Sequence, residues 1–167
     1  MIDNNKKEYI ESLVNIIRET FNIQTPITEE KLTEIINELG GSLEYRSDMI
    51  YDAKIERMGS EFIVSVNGSK PKNRQKFSIA HELGHLFLHM KRLNEEYWIN
   101  NIIEDSAYYR YGRGIEELES DEFAGVLLMP RDEFLDKYYE YSNLEDVARY
   151  FDVSSSAVYV RCKNLGI

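Results

Sequence analysis

Two histidines, His81 and His85, stand four residues apart, and a carboxylate, Glu82, directly follows the first. On an α-helix, residues four apart lie one turn apart and only ~40° out of alignment. Both imidazoles therefore face one point and can share one divalent ion. Glu82 is placed to take a proton from a water held there. This H-E-x-x-H spacing is what a zinc hydrolase needs. A surface helix carrying two histidines by chance is the bland alternative. The flanking Ile79, Ala80, Leu83, Leu86 and Phe87 argue against it, because they make the helix apolar on nearly all sides. Burying two imidazoles without partners is costly, and a metal supplies the partner.

A catalytic zinc ordinarily takes three protein ligands and keeps a fourth position open. His89 is the nearest further donor, but it lies another ~6 Å along the helix axis. A straight helix cannot bring all three rings to one ion. The metzincin pattern reaches a later histidine through a bending glycine; Leu88 occupies that position here, which excludes the class. His89 is expected to make a structural hydrogen bond or to flank the cleft. The acidic run Glu116–Ala124 is the better source. Its ordinary reading is a solvated face, yet Glu117 and Asp121 are four apart and share one side of a helix. That spacing suits one carboxylate as a ligand and a second that orients a ligating histidine from outside. Glu119 projects ~200° round from Glu117 and is the weaker ligand candidate.

Helices and strands must hold these groups. Ile10, Leu13, Val14, Ile17 and Phe21 form a helical stripe within an N-terminal segment spanning 1–25. A second helix begins near Pro26-Ile27-Thr28 and stops at Gly40-Gly41. Three strands are expected at Ser42–Arg46, Ile50–Arg57 and Glu61–Val66, with a hairpin turn at Met58-Gly59-Ser60. The third is expected to be the sheet edge that takes an extended substrate, since it leads into the metal helix. That helix should run from Asn73 to Met90. Lys91–Gly114 has no period and reads as a long loop of the functional kind. Helices are expected at Ile115–Leu128 and Glu133–Tyr141. Asn143–Phe151 and Ser154–Leu165 follow within a tail, 143–167, that looks like a helix-turn-helix. The class is α+β: one zincin-like domain, 1–167, with a small antiparallel sheet of about three strands.

The 167 residues carry a formal net charge of −10, which disfavours nucleic acid and anionic membranes as direct partners. The single cysteine, Cys162, fits a reducing compartment. The first 22 residues lack the continuous apolar stretch of a signal peptide, so a cytosolic location is expected. A DNA-binding regulator is the competing class, through the C-terminal helix pair. Its second helix, however, offers only Arg161 and Lys163, and DNA binding takes several phosphate contacts. The pair reads better as a packing unit.

The run from Arg74 through Phe77 and His81-Glu82-Leu83-Gly84-His85 to His89 resembles the "RxxFxxAHELGHxxLH" signature of the ImmA/IrrE metallopeptidases. Glu117-Leu118-Glu119-Ser120-Asp121-Glu122-Phe123-Ala124, continuing to Leu127-Leu128-Met129-Pro130, is similar to their second signature, "ExEAdxFAxxLLMP". Ser120 stands where alanine is usual. The resemblance spans about Thr28 to Ile167. It implies a gluzincin-like peptidase with zinc on His81, His85 and Glu117, Glu82 as the catalytic carboxylate, and Asp121 orienting a histidine. It also implies endoproteolysis of a specific protein partner, often a helix-turn-helix repressor of a mobile element, prophage or stress response. A non-catalytic zinc protein that binds such a repressor is the further alternative. His89, Tyr108, Tyr109 and Tyr111 are the candidates for a second electrophile at the oxyanion or for lining the cleft.

Overall fold

The computed structural model describes residues 1–101, the backbone of 106–109, and residues 114–167. Helix α1 (Asn4–Thr20) starts where the Asp3 carboxylate accepts a hydrogen bond from the Lys6 amide at 2.8 Å. It buries Ile10, Val14 and Ile17, three of the five residues of the expected stripe. Thr28 caps α2 (Glu29–Glu38) in the same way, satisfying an amide that the first turn leaves without an intrahelical partner. Gly40, at φ 88°, reverses the chain after α2; only glycine takes that conformation at no steric cost.

The sheet has four strands in the order β1-β3-β2-β4. They are β1 (Gly41–Arg46), β2 (Ala53–Met58), β3 (Glu61–Asn67) and β4 (Ser106–Tyr109). The β2–β3 hairpin turns through Gly59 (φ 63°) and Ser60 and pairs Ile55 with Val64. Antiparallel pairing also joins β2 to β4. β1 departs from the expected arrangement, because it runs parallel to β3. The reason lies in the connection 47–52, which is too long for a tight turn. It lets β1 sit on the far side of β3 instead of beside β2. Asn67 anchors that connection, its side-chain amide donating to the carbonyls of Met49 and Tyr51. β3 is thus paired on both sides, and the expectation that Glu61–Val66 is an edge does not hold. The edges of the four-stranded sheet are β1 and β4.

Alternation sets the buried face. Ala53, Ile55 and Arg57 of β2 and Phe62, Val64 and Val66 of β3 point inward, as a period of two requires. Helix α3 (Lys72–Gly84) packs against both strands. Helix α5 (Ile115–Leu128) packs on α3, and α1 packs on α5. The helix bearing the H-E-x-x-H residues is therefore an interior layer, with Ile79, Ala80 and Leu83 wholly buried. It does not run as one regular helix to Met90. From His85 to His89 it widens into a π-helical turn, closed by the Met90 amide on the His85 carbonyl at 2.9 Å.

The segment 91–114 also carries more structure than a loop. Helix α4 (Glu95–Asn100) docks on the sheet through Trp98, whose ring meets Phe62 edge-on at 6.2 Å. The buried Arg57 guanidinium stacks 3.6 Å from the Trp98 ring and donates to the carbonyls of Gly59, Trp98 and Asn101. Burial and cation–π stacking, neither of them periodic, order this stretch.

Helices α6 (Arg131–Glu140), α7 (Leu144–Phe151) and α8 (Ser155–Leu165) complete the chain. Asp152, at φ 52°, makes the turn between α7 and α8. Arg161 of α8 is 3% exposed; it donates to Glu122 of α5 at 3.2 Å and to the Met129 carbonyl at 3.1 Å. No helix among the described residues is long and apolar enough to cross a membrane.

Truncating one member of a buried ion pair strands the other charge and costs about 3–5 kcal/mol. Glu122→Ala is expected to lose stability on that scale in urea unfolding. Glu122→Leu combined with Arg161→Met should recover most of it. Equal losses in the single and double variants would contradict the pairing.

Candidate metal centre

His81 and His85 leave α3 on one side, one turn apart, with ring centroids 4.9 Å apart. Both are buried to within 1% of full burial, and Glu82 between them is wholly buried. Glu117 arrives from the first turn of α5. One of its carboxylate oxygens lies 3.1 Å from His81 Nε2 and the other 3.1 Å from His85 Nε2. Among the described residues, His81, His85 and Glu117 are the group whose ligand atoms fall together, all within 4.8 Å of one another.

Hydrogen bonding fixes what these atoms are. His81 Nδ1 lies 2.8 Å from Asp121 Oδ1. An ionised carboxylate only accepts, so Nδ1 carries a proton that Asp121 receives, while Nε2 faces the Glu117 carboxylate at 3.1 Å. Burial pushes His85 down to about 3, with the neighbouring His81 adding to the effect and Glu117 opposing it. Two imidazole nitrogens thus converge on one carboxylate. Nitrogen and oxygen donors at this spacing can share one cation. Adjacent ligands of a tetrahedral zinc at ordinary bond lengths sit about 3.4 Å apart, close to the spacing observed. Two histidines and a glutamate are a zinc-type donor set, so the residues fit the ion.

A close approach of backbones brings α5 this near. Gly84, the last residue of α3, lies between His81 and His85 and faces Ser120. A Cβ built on Gly84 would meet Ser120 Cα at 2.9 Å and Phe123 Cβ at 3.2 Å. Glycine on α3 and a small residue at position 120 let the helices nearly touch. Glu117 and Asp121 flank that contact on either side. Ser120, where alanine is usual in the resembling family, is itself wholly buried and fits.

The other residues singled out from the sequence fall as follows. His89 turns both ring nitrogens inward: Nδ1 is 3.0 Å from His85 Nδ1, and Nε2 is 3.0 Å from Glu119 Oε2. It makes the structural hydrogen bond expected of it and does not join the ligand group. Glu119 also stays outside that group and meets Lys6 at 3.3 Å. Spacing offers Glu119 only as the weaker ligand candidate and gives no sign of Lys6; the pairing follows from α1 packing on α5, which no local pattern announces. Tyr108 and Tyr109 lie on β4, but their side chains, and all of Tyr111, fall outside the described residues. Arg74, the first residue of the signature, makes a two-pronged ion pair with Asp52 at 2.8 and 3.1 Å.

Two outcomes follow. Gly84→Ala would stabilise an isolated helix by up to about 1 kcal/mol, yet here it is expected to destabilise by about 1–3 kcal/mol through overpacking. It should also weaken zinc binding, because Glu117 and Asp121 move with α5. Thermal unfolding and a zinc titration check both, and a raised melting temperature would contradict the close contact. The second concerns acid. His85 is held below its ordinary 6.5, so the unfolded chain takes up a proton that the folded chain refuses. Stability of the metal-free chain is then present above pH ~6.5 and is lost as pH falls toward ~3. Urea midpoints from about pH 7 to pH 4 should fall less steeply for His85→Asn than for the wild type. Identical slopes would contradict the assignment.

The sequence from residue 36 to 163 matches the peptidase M78 family model, described as the IrrE N-terminal-like domain. Among solved structures, a Mycobacterium tuberculosis transcriptional regulator superposes with a TM-score of 0.65 at 17% identity. The match covers 90% of this chain and 45% of that one, so the chain spans less than half of the regulator's length. The likeness is one of fold. No curated protein sequence matches. A match over most of the chain, on a metallopeptidase-type fold with a His-His-Glu group at its centre, places this protein in the IrrE N-terminal-like, or peptidase M78, family.

Proposed function

We propose that the chain is a zinc-dependent endopeptidase acting on one specific intracellular protein, a helix-turn-helix transcriptional repressor of a mobile element, prophage or stress regulon. The observation that carries this reading is the convergence of His81 Nε2, His85 Nε2 and the Glu117 carboxylate. The family and the H-E-x-x-H sequence support it.

His81, His85 and Glu117 would hold the ion. When bound, it supplies Lewis-acid activation of water and of a peptide carbonyl. Glu82, wholly buried beside the first ligand, is the group to accept the proton of the attacking water and return it to the leaving amine. Its burial excludes bulk water and keeps the carboxylate next to the reacting atoms. Asp121 holds the His81 ring by its Nδ1 proton. A substrate would enter as an extended strand. With β3 interior, β4 is the edge that fits, since the chain runs from it into the helix bearing Glu117.

Direct DNA binding draws little support from the helix pair. Arg161, one of the two cations on its second helix, is buried against Glu122 and Met129, which leaves Lys163 facing solvent.

Glu82→Gln is expected to retain the fold and one zinc per chain while cleavage falls by about 10²–10⁴-fold. The substrate for the assay is a helix-turn-helix repressor taken from the genes flanking this one, incubated with the purified protein and zinc. Loss of the intact band with two new fragments supports the reading. A stable complex with uncut repressor at full zinc occupancy would instead establish the non-catalytic binder.

A further inference from the structure

A chain of polar contacts leads outward from the metal centre to the N-terminal helix. His85 directs Nε2 at Glu117, so its other nitrogen, Nδ1, faces away from the centre. It meets His89 Nδ1 at 3.0 Å. Two ring nitrogens at that distance share one proton, and the next link decides whose it is. His89 Nε2 lies 3.0 Å from Glu119 Oε2. The carboxylate accepts, so His89 Nε2 donates, and a neutral His89 then has a bare Nδ1. His85 must therefore donate from Nδ1, which leaves Nε2 bare and aimed at the centre. Lys6 donates to the same Glu119 oxygen at 3.3 Å, compensating a carboxylate only 11% exposed.

We infer that Lys6, Glu119 and His89 form a positioning relay that fixes the tautomer and orientation of His85, making α1 part of the metal centre. Each ligand histidine thereby has its own orienting carboxylate. Asp121 serves His81 directly, and Glu119 serves His85 through His89. All three carboxylates, Glu117, Glu119 and Asp121, leave α5. The π-helical turn makes the second route possible, because it sets the His89 ring beside that of His85 with centroids 5.1 Å apart. Lys6 lies outside the family match, which begins at residue 36. The Asp3 cap fixes the first turn of α1 and so holds Lys6 in place. Outer partners of this kind set ring orientation and ligand basicity, and their loss commonly weakens metal binding by 10–100-fold.

The inference rests on the metal-site reading above, and the test separates the two. Zinc affinity is measured on the full chain by competition with a chromophoric chelator, and the visible bands of the cobalt-loaded chain report ligand geometry. Glu119→Gln and His89→Asn are each expected to weaken zinc binding by about 10- to 100-fold and to shift the cobalt bands. Lys6→Met should weaken it less, and Lys6→Arg should restore it. The double variant Glu119→Gln/His89→Asn should bind no worse than His89→Asn alone. Nitrogen-15 NMR of the zinc-loaded wild type supplies a second readout that needs no variant to fold: His89 is expected as the Nε2–H tautomer, its Nδ1 accepting from His85. Wild-type affinity and unshifted bands in the variants, or an Nδ1–H tautomer at His89, would overturn the relay alone. A wild-type chain that binds neither zinc nor cobalt would overturn the metal reading and the relay together.

Discussion

The near-contact of α3 and α5 at Gly84 and Ser120 is the constraint on which the rest of the structure depends. Neither helix alone brings the three candidate ligands together. α3 and the π-helical turn that continues it supply the two imidazoles and α5 the carboxylates, and only a glycine facing a small residue lets the two backbones come close enough for Glu117 to reach both rings. Everything outside that contact serves to hold it. The sheet backs α3, α1 covers α5, and the buried Arg161–Glu122 pair ties α8 to the middle of α5.

Placing charge this deep in a core is costly, and the fold answers with directed partners. The acidic run on α5 reads as a solvated face until each residue is followed to its neighbour. Glu117 meets two imidazoles, Glu119 a histidine and a lysine, Asp121 a histidine, and Glu122 an arginine and an asparagine. A helix with acids on all sides is thus a junction between layers. Its sequence has no clean amphipathic stripe because three different surfaces claim it.

What was legible in the sequence follows from how local the cause was. The H-E-x-x-H turn, the apolar stripe of α1, the Gly59 hairpin and the capped helix starts all arise within a few residues, and the structure shows them near their expected positions. The family signature carried Glu117 and Asp121, whose pairing spans some forty residues and has no local period. Other features depended on distant partners. β1 runs parallel to β3 because a long connection frees it, which alternation alone cannot show. α4 is held by Trp98 on Phe62 and Arg57, a contact between strand and segment with no spacing rule. The π-helical turn at His85–His89 looks like ordinary helix in sequence, since its widening shows only in which carbonyl the Met90 amide meets. Lys6 was invisible for the same reason: its partner lies more than a hundred residues away.

X-ray absorption at the zinc edge of the purified, zinc-loaded chain tests the central claim most directly. The account requires one zinc per chain, with two imidazole nitrogens at about 2.0–2.1 Å and carboxylate oxygen at about 2.0–2.2 Å. Glu117→Ala should remove the carboxylate oxygen and leave the two imidazoles. A zinc bound without imidazole, or a wild-type spectrum unchanged by Glu117→Ala, would contradict it.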